Sequence, residues 1–287
     1  MIRAIGIGDN VCDKYEHLKK MFPGGQALNF AVYCCKEHND AAYIGAFGSD
    51  GVAQHIIETL KEIGIDFSHS RHYLGENGYA VVNIRDGERV FVTSNKGGVL
   101  RLYPLEFTKE DINYIASFDV IHTSNNSYLD KELPKLASLD NRLSYDFSSS
   151  WKDEKRTCQI CGYIDIGFIS CSDITEEEIK IQLIKMHDWG CCIGIATRGS
   201  EGAILYDGNS FYGIKPKIVS AIDTLGAGDS FAAGFIMNFI EYTKYNAPPK
   251  GSKAYNELIQ GSLENGARLS AQTCMVNGAF EHGTKLV

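Results

Sequence analysis

The sequence lacks an excess of positive charge and a long hydrophobic run. Its net charge is −8 at pH 7, so no global positive field would attract the phosphate backbone of nucleic acid or an anionic lipid surface. No apolar run reaches the roughly 18 residues that a membrane helix needs, and the first residues turn polar by Asp9, too early for a signal peptide. We therefore expect a cytoplasmic protein that binds neither nucleic acid nor membrane.

Cysteines at zinc-binding spacing are also scarce. The chain has nine cysteines, and Cys158 and Cys161 form one C-x-x-C motif that has no second C-x-x-C or H-x-x-x-H partner at zinc spacing. Reduced thiols are therefore expected in the cytoplasm, with a structural zinc site as the alternative.

Strand-like apolar runs alternate with helix-period segments along most of the 287 residues. This alternation is typical of βαβ units, so it predicts a three-layer α/β fold with a mostly parallel central sheet covered by helices. Two β-rich runs, 79–85 and 88–94, flank Asp86-Gly87, and this pattern predicts a hairpin. We expect one domain over 1–287, with a small β lid formed by about 10–20 and 70–100. A hairpin that flanks the main sheet is the alternative.

The segment 222–234 carries the strongest chemical signal. Gly226, Ala227 and Gly228 lead into an apolar-periodic helix, so backbone N–H groups and the positive end of the helix dipole would face an approaching ligand. Asp229 in the first turn is either an acid that stabilises the helix start or a general base. A base would accept a hydroxyl proton while the N–H groups stabilise a transferring phosphoryl group. The residues alone leave both interpretations open.

Two motifs resemble signatures of the ribokinase-like, or PfkB, carbohydrate kinases. Residues 223–234 read D-T-L-G-A-G-D-S-F-A-A-G, similar to the C-terminal signature, and residues 24–31 read G-G-Q-A-L-N-F-A, similar to the N-terminal one. The resemblance implies a ribokinase-like fold and transfer of the γ-phosphoryl group of ATP to a sugar hydroxyl, with Mg²⁺. It also implies that Asp229 is the catalytic base. The backbone of Gly226, Ala227 and Gly228 would form the anion hole.

The same resemblance places the sugar near the N-terminus. A carboxylate at Asp13 suits this role because it can accept hydrogen bonds from two adjacent hydroxyls. Alternatively, Gly24-Gly25 is only a turn that opens a helix, and Asn29 is only a polar residue on an early helical turn. Arg89 on the hairpin, with Glu76 and Glu88, is a candidate for the distal part of the substrate. The candidate substrate-binding residues are Asp9, Asp13, Gly24, Gly25, Asn29 and Arg89.

Further matches concern the nucleotide and its ions. The family has an N-x-x-E element that helps to order Mg²⁺ through water, and it matches Asp173 and Glu176, with Asp in place of Asn. Alternatively, the two residues only cap a helix and place an acid in its first turn. Arg198 would meet a phosphate or face solvent. Asp223 matches the side chain beside which the family often binds a monovalent cation such as K⁺. The implied nucleotide-binding residues are Thr197, Gly199, Gly202, Ala271, Cys274 and Asn277.

Residues outside the signatures are most similar to the fructoselysine kinases of this family. They include Phe22 and Val32-Tyr33-Cys34, which flank the N-terminal signature, as well as Arg89-Val90-Phe91 and Asp146-Phe147-Ser148. The resemblance implies O6 of fructoselysine, in which fructose is joined to the ε-amine of lysine, as the acceptor. A homodimer through the exposed lid is a further prediction.

Three alternative functions stay open at this point. One is a kinase of the same family for fructose, ribose, a keto-sugar acid or a nucleoside. Another is a sugar- or nucleotide-binding protein that has lost turnover. The third is a dinucleotide-binding oxidoreductase, which Gly6-x-Gly8 suggests superficially, although the remaining G-x-x-G spacing is missing.

Overall fold

The computed structural model of the protein describes the backbone of residues 1–85 and 88–287 and the side chains outside 84–91. The predicted turn Asp86-Gly87 and the side chains of Glu88 and Arg89 therefore lie outside the described residues.

Strands and helices alternate along the described chain. The strands are β1 (Arg3–Gly8), β2 (Val11–Tyr15), β3 (Lys20–Gly24), β4 (Asp40–Phe47), β5 (Arg71–His72), β6 (Gly78–Arg85), β7 (Glu88–Ser94), β8 (Val120–Ser124), β9 (Arg142–Asp146), β10 (Ile166–Ser170), β11 (Ile193–Thr197), β12 (Ala203–Tyr206), β13 (Phe211–Ile214) and β14 (Thr284–Lys285). The α-helices are α1 (Gln26–Lys36), α2 (Gly51–Ile63), α3 (Val99–Leu102), α4 (Lys109–Ile115), α5 (Leu133–Leu136), α6 (Glu154–Cys161), α7 (Glu176–Asp188), α8 (Ala227–Thr243) and α9 (Lys253–Thr273).

The central sheet has nine strands in the order β13-β12-β11-β10-β9-β8-β1-β4-β5. Its described pairings are parallel except those of β12 with its two neighbours. In register, Ser124 lies beside Asp146 and Ser170 lies beside Thr197, so the carboxyl ends of these strands form one edge. The predicted α/β class with a mostly parallel sheet is confirmed.

Two buried clusters lie on opposite faces of this sheet. Ala4 packs into the cluster that also contains Phe30 of α1 and Phe235 of α8, whereas its neighbour Ile5 packs into the cluster with Leu183 of α7. Successive strand residues point to opposite faces, so this alternation places helices on both sides. The result is a helix–sheet–helix sandwich of three layers.

Local capping explains where several helices begin and end. A capping box formed by Thr108 and Asp111 begins α4, and a second one formed by Thr175 and Glu178 begins α7. Gly64 ends α2 in the left-handed conformation, with φ of 87°. Among the described helices, none combines the length and hydropathy that a bilayer crossing requires.

A second, smaller sheet has the order β14-β3-β2-β6-β7. The hairpin formed by β6 and β7 lies in this sheet and does not flank the central one. The bounds differ from those expected, because Arg71–His72 pairs with β4 of the central sheet while Lys20–Gly24 and Thr284–Lys285 join the small sheet. Strand β2 is thereby paired on both sides, which satisfies its backbone groups.

Candidate active site

A cavity of ≈ 570 Å³ lies between the carboxyl edge of the central sheet and the small sheet. Its walls come from β2, β6 and β7 of the small sheet and from the first turns of α1 and α8. Asp13, Asn29, Tyr79 and Asp229 are among the lining residues, so residues from both ends of the sequence meet here. The volume falls within the range of pockets that bind small molecules.

Asp229 lies in the first turn of α8 and is partly exposed to the cavity. Its carboxylate accepts a hydrogen bond from Asn29 Nδ2 over 2.6 Å. Burial raises the pKa of Asp229 to about 7, with further increases from the charges of Asp146, Asp9 and Asp13, while the bond from Asn29 opposes the rise. A carboxylate that titrates near neutral pH suits a general base.

Asp146 at the end of β9, which raises the pKa of Asp229 by its charge, has a role that the sequence did not indicate. It is buried and accepts a hydrogen bond from the Ser148 backbone N–H over 2.6 Å. Burial raises its pKa to about 6, hydrogen bonds from Ser148 and Gln26 lower it, and the charge of Asp9 raises it. A polar residue at the carboxyl end of a buried parallel strand is the signal that could have identified it.

The start of α8 has one crowded and one open glycine. Gly226 has a φ of 73°, and a Cβ there would lie 2.6 Å from Tyr33 Oη and 2.7 Å from Ala279 Cβ. A Cβ at Gly228 would meet no heavy atom within 4 Å. No side chain in the described part of the protein caps this helix, and of its first N–H groups that of Ala227 donates to the Thr224 carbonyl oxygen over 3.3 Å.

Asp9 has a structural role that the sequence did not indicate. Its carboxylate accepts hydrogen bonds from the backbone N–H groups of Gln26, at 2.8 Å, and Ala27, at 3.2 Å, and thus caps α1 from a distant point in the sequence. The hydroxyls of Ser124 and Ser127 donate to the same carboxylate over 2.8 and 3.2 Å. Asp9 lines the cavity, and its predicted sugar contact stays a prediction.

Gly24 allows two predicted sugar-binding side chains to approach each other. A Cβ at this position would lie 2.9 Å from Asp13 Oδ2 and 3.7 Å from Asn29 Oδ1. Asp13 and Asn29 are both buried and both line the cavity, while the adjacent Gly25 has a φ of 115° that suits glycine. The structure therefore brings Asp13, Gly24, Gly25 and Asn29 together with Asp229.

Asp223 connects the small sheet to the loop before α8. Its Oδ2 accepts hydrogen bonds from Tyr15 Oη on β2 over 2.5 Å and from the Gly278 N–H over 3.0 Å, and its Oδ1 accepts one from the Leu225 N–H over 3.0 Å. The backbone carbonyl of Cys274, at the end of α9, accepts a bond from the Ile222 N–H over 2.8 Å. The predicted site for a monovalent cation beside Asp223 stays a prediction.

The predicted nucleotide-binding residues lie on three elements. Thr197 ends β11, Gly199 and Gly202 have φ values of 54° and 91°, and a Cβ at Gly202 would lie 1.9 Å from the carbonyl oxygen of Ile214. Ala271 lies in the last turn of α9, Cys274 ends this helix, and Asn277 is exposed just beyond it.

Asp173 and Glu176, the predicted Mg²⁺ residues, are exposed and paired with cations. Lys152 Nζ lies 2.5 Å from Asp173, and Lys180 Nζ lies 2.7 Å from Glu176. These hydrogen bonds lower the pKa of both carboxyl groups, so they stay ionised. Arg198 pairs with Glu176 at 3.5 Å and also contacts Glu201. In the described part of the chain, no group of three His, Cys, Asp or Glu side chains could hold a metal ion.

Comparisons with known proteins agree with this geometry. A model of the pfkB family of carbohydrate kinases matches residues 1–140 and 169–280. The chain is 36% identical over 283 residues to fructosamine kinase FrlD of Bacillus subtilis, covering 98% of this chain and 94% of that protein. It is 32% identical over 230 residues to fructoselysine 6-kinase of Escherichia coli, covering 80% and 86%.

Solved structures extend the likeness to the three-dimensional fold. The structure of Arabidopsis thaliana ribokinase complexed with ribose and ATP matches with a TM-score of 0.76 at 17% identity, covering 97% of this chain and 94% of that one. At this identity the match shows the fold, which is ribokinase-like as the sequence predicted.

Proposed function

Because the chain belongs to the pfkB family of carbohydrate kinases, we propose that it phosphorylates O6 of a fructose carried on an amine, with fructoselysine as the substrate. The protein is a phosphotransferase that acts on an alcohol group. The proposal for fructoselysine is supported by the identity to relatives named fructosamine kinase and fructoselysine 6-kinase over most of the chain.

The observation that carries the proposed chemistry is the position of Asp229 in the cavity, beside a helix start that no described side chain caps. The sugar hydroxyl oxygen forms a bond to the γ-phosphorus of ATP as the bond from that phosphorus to the ADP oxygen breaks. Asp229 accepts the proton of the hydroxyl, and the N–H groups of Gly226, Ala227 and Gly228 stabilise negative charge on the moving phosphoryl group. Atoms and charges balance, with ADP and a sugar phosphate as products.

Asp13 and Asn29 would orient the sugar for this step. Both are buried beside Asp229, and a carboxylate and an amide together accept and donate hydrogen bonds to neighbouring hydroxyls. The carbonyl oxygen of the Asn29 side chain has no hydrogen-bond partner among the described residues and could accept one from the sugar.

The residues near the carboxyl ends of β10 and β11 fit a hydrated Mg²⁺. Asp173 and Glu176 are two ionised, exposed carboxylates whose charge is partly compensated, which suits contact through water better than direct ligation. Mg²⁺ bound together with ATP would neutralise part of the negative charge of the phosphates. The predicted monovalent cation and the homodimer through the small sheet are further proposals.

ADP formation over a panel of acceptors tests the proposal. Fructoselysine, fructose, ribose and adenosine are compared at equal concentration, and phosphorus–proton NMR correlation locates the phosphate on the product. We expect the highest kcat/KM with fructoselysine and phosphate on O6. A higher kcat/KM with free fructose, ribose or adenosine would identify that compound, and not fructoselysine, as the substrate. Ligand binding without ADP from any acceptor would indicate a binding protein.

A further inference from the structure

We propose that the outer end of the cavity, formed by Lys96, Asn126 and Tyr128, binds a carboxylate on the amine substituent of the substrate. The site would thus select fructosamines that carry an acidic group over those with a neutral substituent. This inference rests on the proposed function and concerns the part of the substrate that does not react.

Burial divides the cavity into an inner and an outer end. Asp13 and Asn29 are 5% and 3% exposed and lie at the inner end with Asp229. Lys96 and Asn126 are exposed lining residues and form the outer end. When O6 of fructose meets Asp229, the amine at the other end of the sugar points outward, so its substituent reaches the outer end.

Charge also divides the cavity. The inner end has three carboxylates, Asp9, Asp13 and Asp229, and Lys96 is the one cationic residue among the described residues that line the cavity. No carboxylate of the described residues forms an ion pair with Lys96, in contrast to Lys135, Lys152 and Lys180. A secondary ammonium is attracted inward and repelled by Lys96, whereas a carboxylate experiences the opposite forces.

The backbone of Lys96 is held in place beside this outer end. Lys96 and Tyr128 both have left-handed backbone conformations, with φ of 56° and 55°. The Tyr128 hydroxyl donates a hydrogen bond to the Lys96 carbonyl oxygen over 2.7 Å. A left-handed conformation is uncommon for residues other than glycine, so the surrounding contacts maintain it.

The turn that carries Lys96 is also attached to the small sheet. Asn95 Oδ1 accepts a hydrogen bond from the Tyr79 N–H over 2.9 Å, and Asn95 Nδ2 donates one to the Asn77 carbonyl over 2.7 Å. A Cβ at Gly97 would lie 3.3 Å from the Tyr128 ring, so turn and ring are in close contact. The Lys96 side chain therefore starts from a fixed point and can reach a ligand through its own flexible stem.

An aromatic residue beside Lys96 suits the chain between amine and acid. Tyr128 lines the cavity from the loop after β8. Its ring offers apolar surface to methylene groups, while its hydroxyl donates to the Lys96 carbonyl oxygen. The ring of Tyr79, which also lines the cavity, instead contacts Lys14, whose Nζ lies 4.7 Å from the ring centroid. The outer end thus combines one lining cation with an apolar ring, which is the complement of an aliphatic acid.

The test compares two substrates that differ only in whether the amine substituent carries a carboxylate or a neutral amide. Fructosylglycine is compared with fructosylglycinamide, and ε-fructoselysine provides a carboxylate at greater distance from the amine. We expect Lys96→Gln to raise KM for the acid substrate roughly five- to thirtyfold with kcat nearly unchanged, and to leave KM for the amide within about twofold. Lys96→Arg should restore most of the lost affinity, and Lys61→Gln on α2 serves as a matched lysine control.

Each outcome decides between the two proposals. Equal effects of Lys96→Gln on acid and amide, no effect on either acid substrate, or an increase in KM for ATP would overturn the inference and leave the fructosamine kinase assignment intact. An effect confined to fructosylglycine or to fructoselysine supports it and locates the carboxylate. ADP from free sugars but from no fructosamine would overturn both proposals.

Discussion

The Asn29 side-chain amide donates a hydrogen bond to Asp229 Oδ2 over 2.6 Å, joining the first turns of α1 and α8. The two residues belong to the two signature motifs at opposite ends of the chain. The bond holds the carboxylate toward the cavity and favours its ionised form, against the burial and the neighbouring carboxylates that raise its pKa.

Replacement of Asp229 by Asn should abolish most turnover. The amide keeps the size of the side chain but cannot accept the hydroxyl proton, so we expect kcat to fall about 10²- to 10⁴-fold. Steady-state ADP release on the best acceptor measures this. Asp188→Asn, an exposed position at the end of α7, is the matched control. Unchanged kcat in Asp229→Asn would exclude the residue as the base.

The pH profile should report the pKa of Asp229. The base acts only when ionised, so kcat/KM should fall as the pH drops below about 7. In Asp146→Asn the acid limb should move to lower pH, because a charge that raises the pKa of Asp229 is removed. In Asn29→Ala it should move to higher pH, because a hydrogen bond to the ionised form is lost. Shifts in the same direction for both variants would contradict this assignment.

Stability should depend on pH in the opposite sense to activity. The pKa of Asp229 is raised from 3.8 to about 7 in the folded protein, so stability is highest when the group is protonated and is lost as pH rises through this window. Asp229→Asn should therefore be more stable than the natural protein at pH 8, by a few kcal/mol at most, because the side chain is partly exposed to the cavity. The difference should vanish near pH 4. Urea unfolding at the two pH values measures it.

The two glycines at the start of α8 should respond differently to alanine. Gly226→Ala should lower the free energy of unfolding by roughly 1–3 kcal/mol, because of its positive φ and its contacts with Tyr33 and Ala279. Gly228→Ala should fold normally, since its Cβ would enter open space, but should raise KM for ATP by occupying that space. Thermal unfolding and ADP kinetics of both variants separate the effects. Equal stability of the two variants would count against the described geometry.

Loss of the Tyr15 hydroxyl should weaken the attachment of the small sheet. Tyr15→Phe removes the hydrogen bond to Asp223, and a bond to a charged group contributes about 1–3 kcal/mol. We expect a lower unfolding free energy of this order, together with faster amide hydrogen exchange in β2. Tyr163→Phe, at a half-exposed tyrosine, is the control. An exchange rate in β2 equal to that of the natural protein would show that the bond does not restrain the sheet.

Features that depend on neighbouring residues were determined by the sequence itself. The capping boxes at Thr108 and Thr175, the stop at Gly64 and the glycine-rich start of α8 each involve groups within a few residues, so spacing alone predicts them. The alternation of strands and helices predicts the sheet class for the same reason. The positions of Asp13, Asn29 and Asp229 followed from resemblance, and the structure places all three in one cavity.

Only the tertiary structure decided the features that join distant residues. Asp9 caps α1 across 17 residues, Asp146 at the end of β9 acts on Asp229 of α8, and Thr284–Lys285 completes the small sheet beside β3. Lys96 becomes part of the cavity through Tyr128, 32 residues away. The energy of each contact depends on distance in space, whereas sequence patterns record only distance along the chain.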